Sequence, residues 1–460
     1  MRRYLHGLRQ TRDEGMALAC GNNGWCVVRE DGAVVGTGPF FQARGYPAAA
    51  CASVCSANRV LLGPEVGVLM VATSGSHQLA VSEDGALYTW GYASPQGKLG
   101  HADAKNRLTP EQIPRDMLGG VPVLAAACGL GHTLVVTADG GVWTCGCNYF
   151  GQLGREAGTN DARFGRAMLG NDTGTRAAMP ASGDFHNVVV AHDGDVWTWG
   201  IGEYGSLGQG SRANSTHAMR IPKAALGIGA AVLAAAAGYH AVVLGREGEV
   251  CVWGRGEDGQ LGLGDRKNRS VPARMHVPDG TPMRIAACGY SHTMLVTPAG
   301  ALWVCGDGGV PRDVTRNGLG AALPVQVPPQ AFGGAALATV SAAHNKSMAL
   351  TVHGLVHTWG LEHRAGMPLC TTPQACQEQR VGRWQNLRIE SALAFAMGTQ
   401  RRLGLCSCVQ TLAGISEIVS QIIASAETTP GTPRASVPAG VHALAGGPAH
   451  SQPLASDTLP

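Results

Sequence analysis

The segment His186-Asn187-Val188-Val189-Val190-Ala191-His192-Asp193-Gly194-Asp195-Val196-Trp197-Thr198-Trp199-Gly200 reads as strand, turn and strand. The β-branched run His186–Ala191 is short and suits a pleated surface. His192-Asp193-Gly194-Asp195 is a reverse turn, because glycine tolerates the positive φ that a tight hairpin needs. Val196-Trp197-Thr198-Trp199 then returns with side chains alternating between two faces. Working outward, the turn glycine recurs at Gly32, Gly85, Gly140, Gly194, Gly248, Gly300 and Gly354, at intervals of 52 to 55 residues. Five residues after it comes Trp90-Gly91, Cys145-Gly146, Trp199-Gly200, Trp253-Gly254, Cys305-Gly306 or Trp359-Gly360, with Thr37-Gly38 in the first unit. Eight residues before it stands His77, His132, His186, His240 or His292, replaced by Gly24 in the first unit and Lys346 in the last. A third element follows: Gly97-Lys98-Leu99-Gly100, Gly151-Gln152-Leu153-Gly154, Gly205-Ser206-Leu207-Gly208, Gly259-Gln260-Leu261-Gly262 and a degenerate Asn317-Gly318-Leu319-Gly320.

Each unit therefore holds about four short antiparallel strands and no convincing helix. Seven such units predict an all-β chain, a seven-bladed β-propeller. A helical solenoid would show a period of 3.6, and this pattern alternates. Propellers of the WD40 kind have ~40–45-residue units with a Trp-Asp dipeptide, which is absent here. Small residues ahead of the histidine, as in Ala125-Ala126-Ala127, mark a strand in a crowded place. The reading divides the chain into an N-terminal extension 1–16, a propeller 17–404 and a C-terminal tail 405–460. Within it, 388–397 is expected to pair with the first unit and close the ring, removing exposed edges. Residues 409–426 are predicted as one amphipathic helix, and the Pro-, Ala-, Gly-, Ser- and Thr-rich remainder as disordered.

Composition narrows the function. The 460 residues include 66 glycines and only 15% charged residues, with a formal net charge of +3. Bulk attraction to nucleic acid or to an anionic membrane is not expected from that balance. The arginines at 2, 3, 9 and 12 read as a solvated terminus, and the apolar run 224–245 as a pair of buried strands rather than a membrane span. Fourteen cysteines without a secretory leader suggest free thiols in a reducing compartment, cytoplasmic or nuclear. Their spacings do not build a metal site. Cys20, Cys128 and Cys288 share one repeat position, and Cys145 and Cys305 another, so they read as packing residues. The five repeat histidines are spread around a ring by symmetry, too far apart to share a metal. Each is read as bracing its own loop through backbone hydrogen bonds. No catalytic motif is found, and no cofactor is expected.

The combination A-x-G-x-x-H, D-G-x-V-x-x-W-G and G-Q-L-G resembles the repeat of the regulator-of-chromosome-condensation (RCC1-like) family. The resemblance is clearest at Ala286–His292 and Trp253–Gly264 and covers about 17–404. It implies the propeller fold and several possible trades. A family photoreceptor absorbs through tryptophans in the G-x-x-H loops, and the corresponding loops here contain none. The ligase and BTB-linked members carry a further large domain, which the tail 405–460 is too short to supply. Ran-directed exchange factors dock the GTPase on the face of the G-x-x-H loops, use acidic residues there and insert a wedge between repeats. Here only Asp184 puts a carboxylate in such a loop, and the even spacing leaves no room for a wedge. Chromatin binding, which family members support with a basic tail, is disfavoured.

The expectation is a non-enzymatic, monomeric protein–protein interaction scaffold, with a small GTPase as candidate partner. The alternative is a guanine-nucleotide exchange factor for a Ran-like GTPase. Candidate contacts are Asp184, Tyr239, Tyr290 and Lys346 on the loop face, with His77, His132, His186, His240 and His292 as structural residues.

Overall fold

The computed structural model describes residues 18–21, 24–28, 34–37, 58–60, 62, 66–74, 76–155, 160–170, 174–307, 321–360 and 370–380. All of them belong to a compact unit spanning 1–405. Its architecture is an all-β propeller built of four-stranded antiparallel sheets, each with its strands in chain order.

The opening segment forms its hairpin in the expected register. His186 pairs with Gly200, Val188 with Thr198 and Val190 with Val196, and Gly194 takes φ +84° at the turn. The sheet is completed by Ala177–Ser182 before it and Ser215–Ile221 after it. First strands of consecutive sheets touch one another, as Val123–Cys128 does with Ala177–Ser182. They therefore line the centre, which is why they are rich in alanine. Fourth strands form the rim.

Second strands are buried along their whole length, because each sheet is sandwiched between two others and both of its faces must be apolar. Val188 and Val190 pack forward against Ala241, Val243 and Trp253. Val189 and Ala191 pack backward against Leu134 and Val136. A one-residue slip would exchange the two faces. Trp199 and Trp253 are fully buried; burying one such ring supplies about 4–6 kcal/mol at ~25 cal/mol/Å².

The expected count of seven needs one correction. Six blades of full-length strands run from Val68 to Arg380. A further four-stranded sheet, at 18–60, has strands of only three to five residues. The physical reason lies in its sequence: it carries Gly24 for the histidine and Thr37 for the Trp or Cys, so among the seven units it alone lacks both anchors. It nonetheless packs on both sides, with Leu18 and Cys20 against Met348 and Leu350, and Ala19 and Cys26 against Val71 and Trp90. Residues 1–16, the Asn317–Gly320 turn, the closing segment 388–397, the helix 409–426 and the tail lie outside the described residues. Among the described residues, the longest helix has four residues.

Candidate functional site

The repeat histidines begin the second strand of each blade, fully buried. Their bonds differ from the expectation. In four of the five, Nε2 reaches across to the next blade: His77 to Thr133 Oγ1 at 3.0 Å, His132 to Asn187 Oδ1 at 2.8 Å, His240 to Thr293 Oγ1 at 2.9 Å and His292 to Ser347 Oγ at 2.9 Å. Among the described residues only His77 also holds its own loop, through Nδ1 and Ser74 Oγ at 2.8 Å. The acceptor residue follows the next unit's own histidine position. It in turn donates to the carbonyl of the preceding G-x-L-G turn, as Thr133 does to Lys98 at 2.7 Å, Asn187 to Gln152 at 2.8 Å and Thr293 to Gln260 at 2.8 Å. The same carbonyls accept from the Trp-Gly or Cys-Gly residue, Trp199 Nε1 donating to Gln152 at 2.9 Å and the Cys145 thiol to Lys98 at 3.5 Å. Turn, hydroxyl and imidazole thus stitch adjacent blades together. A donating Nε2–H is the tautomer that this arrangement requires. Burial lowers the pKa of all five rings: His132 and His292 to about 4, His186 and His240 to about 3, and His77 well below its ordinary value.

One seam is unstitched. The residue facing His186 is Ala241, and neither nitrogen of that buried ring has a partner among the described residues. An unsatisfied buried polar group is costly. Ala241→Thr is therefore expected to add about 1 kcal/mol of stability, read as a higher urea midpoint. A midpoint that stays put or falls would count against the bridge as a stabilising contact.

At the blade ends that carry these histidines, the loops form a collar around the axis. Leu130 N donates to Asp184 O at 3.1 Å, Asp184 N to Gly238 O at 3.2 Å and Tyr290 N to His344 O at 2.7 Å. Lys98, buried in place of the glutamine of other units, ties two more loops by donating to Ser76 Oγ at 2.7 Å and Leu130 O at 3.0 Å. Burial lowers its pKa to about 8.

An arc of rings lies over the collar. Phe150 meets Phe185 at 5.3 Å between centroids, Phe185 meets Tyr239 at 6.5 Å, and Tyr239 meets Tyr204 at 5.2 Å and Tyr290 at 6.2 Å. Tyr290 stacks on His344 at 6.0 Å. The Arg255 guanidinium sits over both Tyr204 (5.8 Å) and Tyr290 (5.2 Å), paired with Glu257 and Asp258. Exposed Tyr92 and Tyr149 extend the arc at its other end, where Gln96 bonds the Tyr149 hydroxyl at 3.4 Å. Inside the collar, Asp184, Ser74, Ser182 and His344 line a small central cavity. Burial raises the Asp184 pKa, opposed by the charge of His344. Burial and the Tyr290 hydroxyl push that of Tyr239 up to about 12.

Of the sequence candidates, Asp184, Tyr239 and Tyr290 lie together on this face. Lys346 sits at the seam with the 18–60 sheet, its carbonyl facing the Cys20 thiol at 4.0 Å. Sequence reading missed Phe150, Phe185, Tyr204, Arg255 and His344. Their signal was positional: Phe150 and Tyr204 immediately precede the first glycine of a G-x-L-G turn, and Phe185 immediately precedes a repeat histidine. Eight cysteines, Cys20, Cys26, Cys128, Cys145, Cys147, Cys251, Cys288 and Cys305, are in no disulfide, and the described residues contain no group of three His, Cys, Asp or Glu placed to hold a metal. No helix among the described residues is long and apolar enough to cross a membrane.

Comparison with known proteins agrees with this architecture. Residues 8–312 match the family described as RCC1-like domain. The mouse E3 ubiquitin-protein ligase HERC2 is 35% identical over 233 residues, which are 50% of this chain and 5% of the ligase. The Arabidopsis thaliana ultraviolet-B receptor UVR8 is 30% identical over 295 residues, 64% of this chain and 65% of the receptor. The chain thus spans less than two thirds of either relative. Among solved structures, human WBSCR16 superposes with a TM-score of 0.61 at 23% identity, covering 70% of this chain and 84% of that one. Prp20p of Saccharomyces cerevisiae gives 0.59 at 21% identity, covering 77% and 84%. Both show the shared fold.

Proposed function

This chain belongs to the RCC1-like domain family, and from that premise we propose that it is a non-catalytic interaction scaffold whose loop face holds a protein partner. The aromatic arc carries the reading. The chain has eight tyrosines and seven phenylalanines; seven of these fifteen, Tyr92, Tyr149, Phe150, Phe185, Tyr204, Tyr239 and Tyr290, gather at one end of the blades. Partly exposed rings on a hydrogen-bonded collar are typical interface anchors, since little ordering entropy is lost on binding. In this reading the chain divides into an N-terminal extension 1–16, the propeller 17–404 and a C-terminal tail 405–460. The scaffold acts as a monomer in a reducing compartment, cytoplasm or nucleus, where free thiols persist.

A small GTPase is the candidate partner, and exchange on a Ran-like GTPase is the second reading. The Asp184 carboxylate on this face favours it, and the structure of Prp20p is described together with its binding to Gsp1p and histones. Affinity capture with the wild type and with Tyr239→Ala separates a real interface from a bystander. A partner held through the arc should be retained about 30-fold less well by the variant, the effect of losing an anchor worth ~2 kcal/mol. Identical capture by both proteins would remove the arc from consideration. Accelerated release of labelled nucleotide from any member of a GTPase panel would establish the exchange reading over the scaffold.

A further inference from the structure

We infer that the central cavity is a receptor for one arginine side chain, presented by an extended segment of the protein partner. The inference rests on the scaffold reading and specifies what the loop face recognises.

The Asp184 carboxylate is without a hydrogen bond among the described residues. Asp184 uses both of its backbone groups in the collar, yet its side-chain oxygens accept nothing from any described residue. The neighbouring hydroxyls are already committed. Ser182 donates to Asn187 Oδ1 at 2.9 Å, and Ser74 pairs with His77 Nδ1 at 2.8 Å. The carboxylate is drawn out of bulk water and its charged form is disfavoured by that burial, as expected of an anion awaiting a counter-charge. Opposite it, His344 is held at φ +47°, a left-handed conformation that residues other than glycine seldom adopt. Strain of this kind tends to persist where the surrounding structure serves a binding role.

The surroundings select the cation. Beside the cavity the arc already holds one guanidinium, Arg255, stacked on Tyr204 and Tyr290; the ring that lines the cavity itself is His344. That arginine is claimed by Glu257 at 3.1 Å and Asp258 at 3.0 Å, which leaves Asp184 with His344 across the cavity and no arginine or lysine partner among the described residues. A guanidinium can chelate a carboxylate with two parallel N–H donors while its face meets a ring, and an ammonium cannot. The cavity admits a side-chain head and not a folded domain, so the segment that delivers it must be extended.

The test uses the full chain, immobilised, and pools of unstructured octapeptides with a fixed central arginine, lysine or citrulline. The arginine pool should be retained at least tenfold better than the citrulline pool, which keeps the shape and lacks the charge. Asp184→Asn should abolish that preference and Asp184→Glu preserve part of it, each with an unchanged thermal melt. Equal retention of the arginine and citrulline pools would overturn the inference, as would a preference that survives Asp184→Asn. Retention of the lysine pool equal to arginine would overturn the guanidinium assignment. A protein partner lost on Tyr239→Ala yet indifferent to Asp184→Asn would sink the inference and leave the scaffold reading standing.

Discussion

Gly254→Ala is expected to remove roughly 4 kcal/mol or more of stability, placing it among the most damaging single changes. Gly254 follows Trp253 at φ +99°, and a β-carbon there would lie 2.2 Å from the Tyr239 carbonyl oxygen and 2.8 Å from the His240 Cα. That carbonyl cannot retreat, because it accepts the Arg255 N–H at 3.0 Å and its loop belongs to the collar. The penalty therefore combines an unfavourable backbone conformation with a backbone clash. Gly229→Ala is the control, since a β-carbon there meets nothing within 4 Å and should leave the melt unchanged. Thermal and urea unfolding of the two variants reads the contrast directly. Equal stability of both would mean that the close approach behind the Trp-Gly pair is not what the glycine is for.

The second large effect is acid sensitivity. An unfolded histidine titrates near 6.5, whereas four of the buried rings hold out to about 3 or 4 and His77 is depressed in the same direction. Between those values the unfolded chain binds more protons than the folded one, so stability is intact above pH 6.5 and is lost as pH falls toward 4. At pH 5 the loss is on the order of 2 kcal/mol per ring. The four rings with these values together rival the ~5–15 kcal/mol that holds an ordinary domain, and His77 acts in the same direction. The protein should therefore unfold near pH 5, above the range where carboxylates protonate. The linked proton uptake near pH 5.5 should approach one per ring, and His186→Gln should reduce it by one. A melting temperature flat between pH 7.5 and 4.5 would contradict the burial of these groups.

Much of this was legible in the sequence for a physical reason. A repeat imposes the same steric demand at each turn, so the turn glycine recurs seven times, the Trp-Gly or Cys-Gly pair six times and the histidine five times, and each reports the blade plan. The partner of each histidine was harder to see. Thr133, Asn187, Thr293 and Ser347 are small polar residues that carry no signal alone, and they lie 53 to 56 residues away in the next unit. The loop face was half visible. Asp184, Tyr239 and Tyr290 stand beside repeat histidines, whereas Arg255 and Tyr204 come from the loops that leave the third strands at the same end, after Gly254 and Gly200, which pair with His240 and His186. Lys346 looked like a loop residue because it occupies the histidine position. That position faces the seam, so a lysine there meets the 18–60 sheet. The shortened first sheet followed from its missing anchors, but the length of its strands did not.

The reach of the imidazole bridge has a consequence for how such a chain can change over generations. Each bridge starts at one residue and ends at the residue after its counterpart one period later. A unit that carries both residues therefore supplies a donor to the unit ahead and an acceptor to the unit behind. Unequal crossing-over between two repeats keeps that grammar whether it adds a unit or deletes one. Every newly joined pair of such units still sets an imidazole opposite the position that answers it. A unit beginning His240-Ala241 would instead carry its silent acceptor wherever it landed, marking the descent of any blade copied from it.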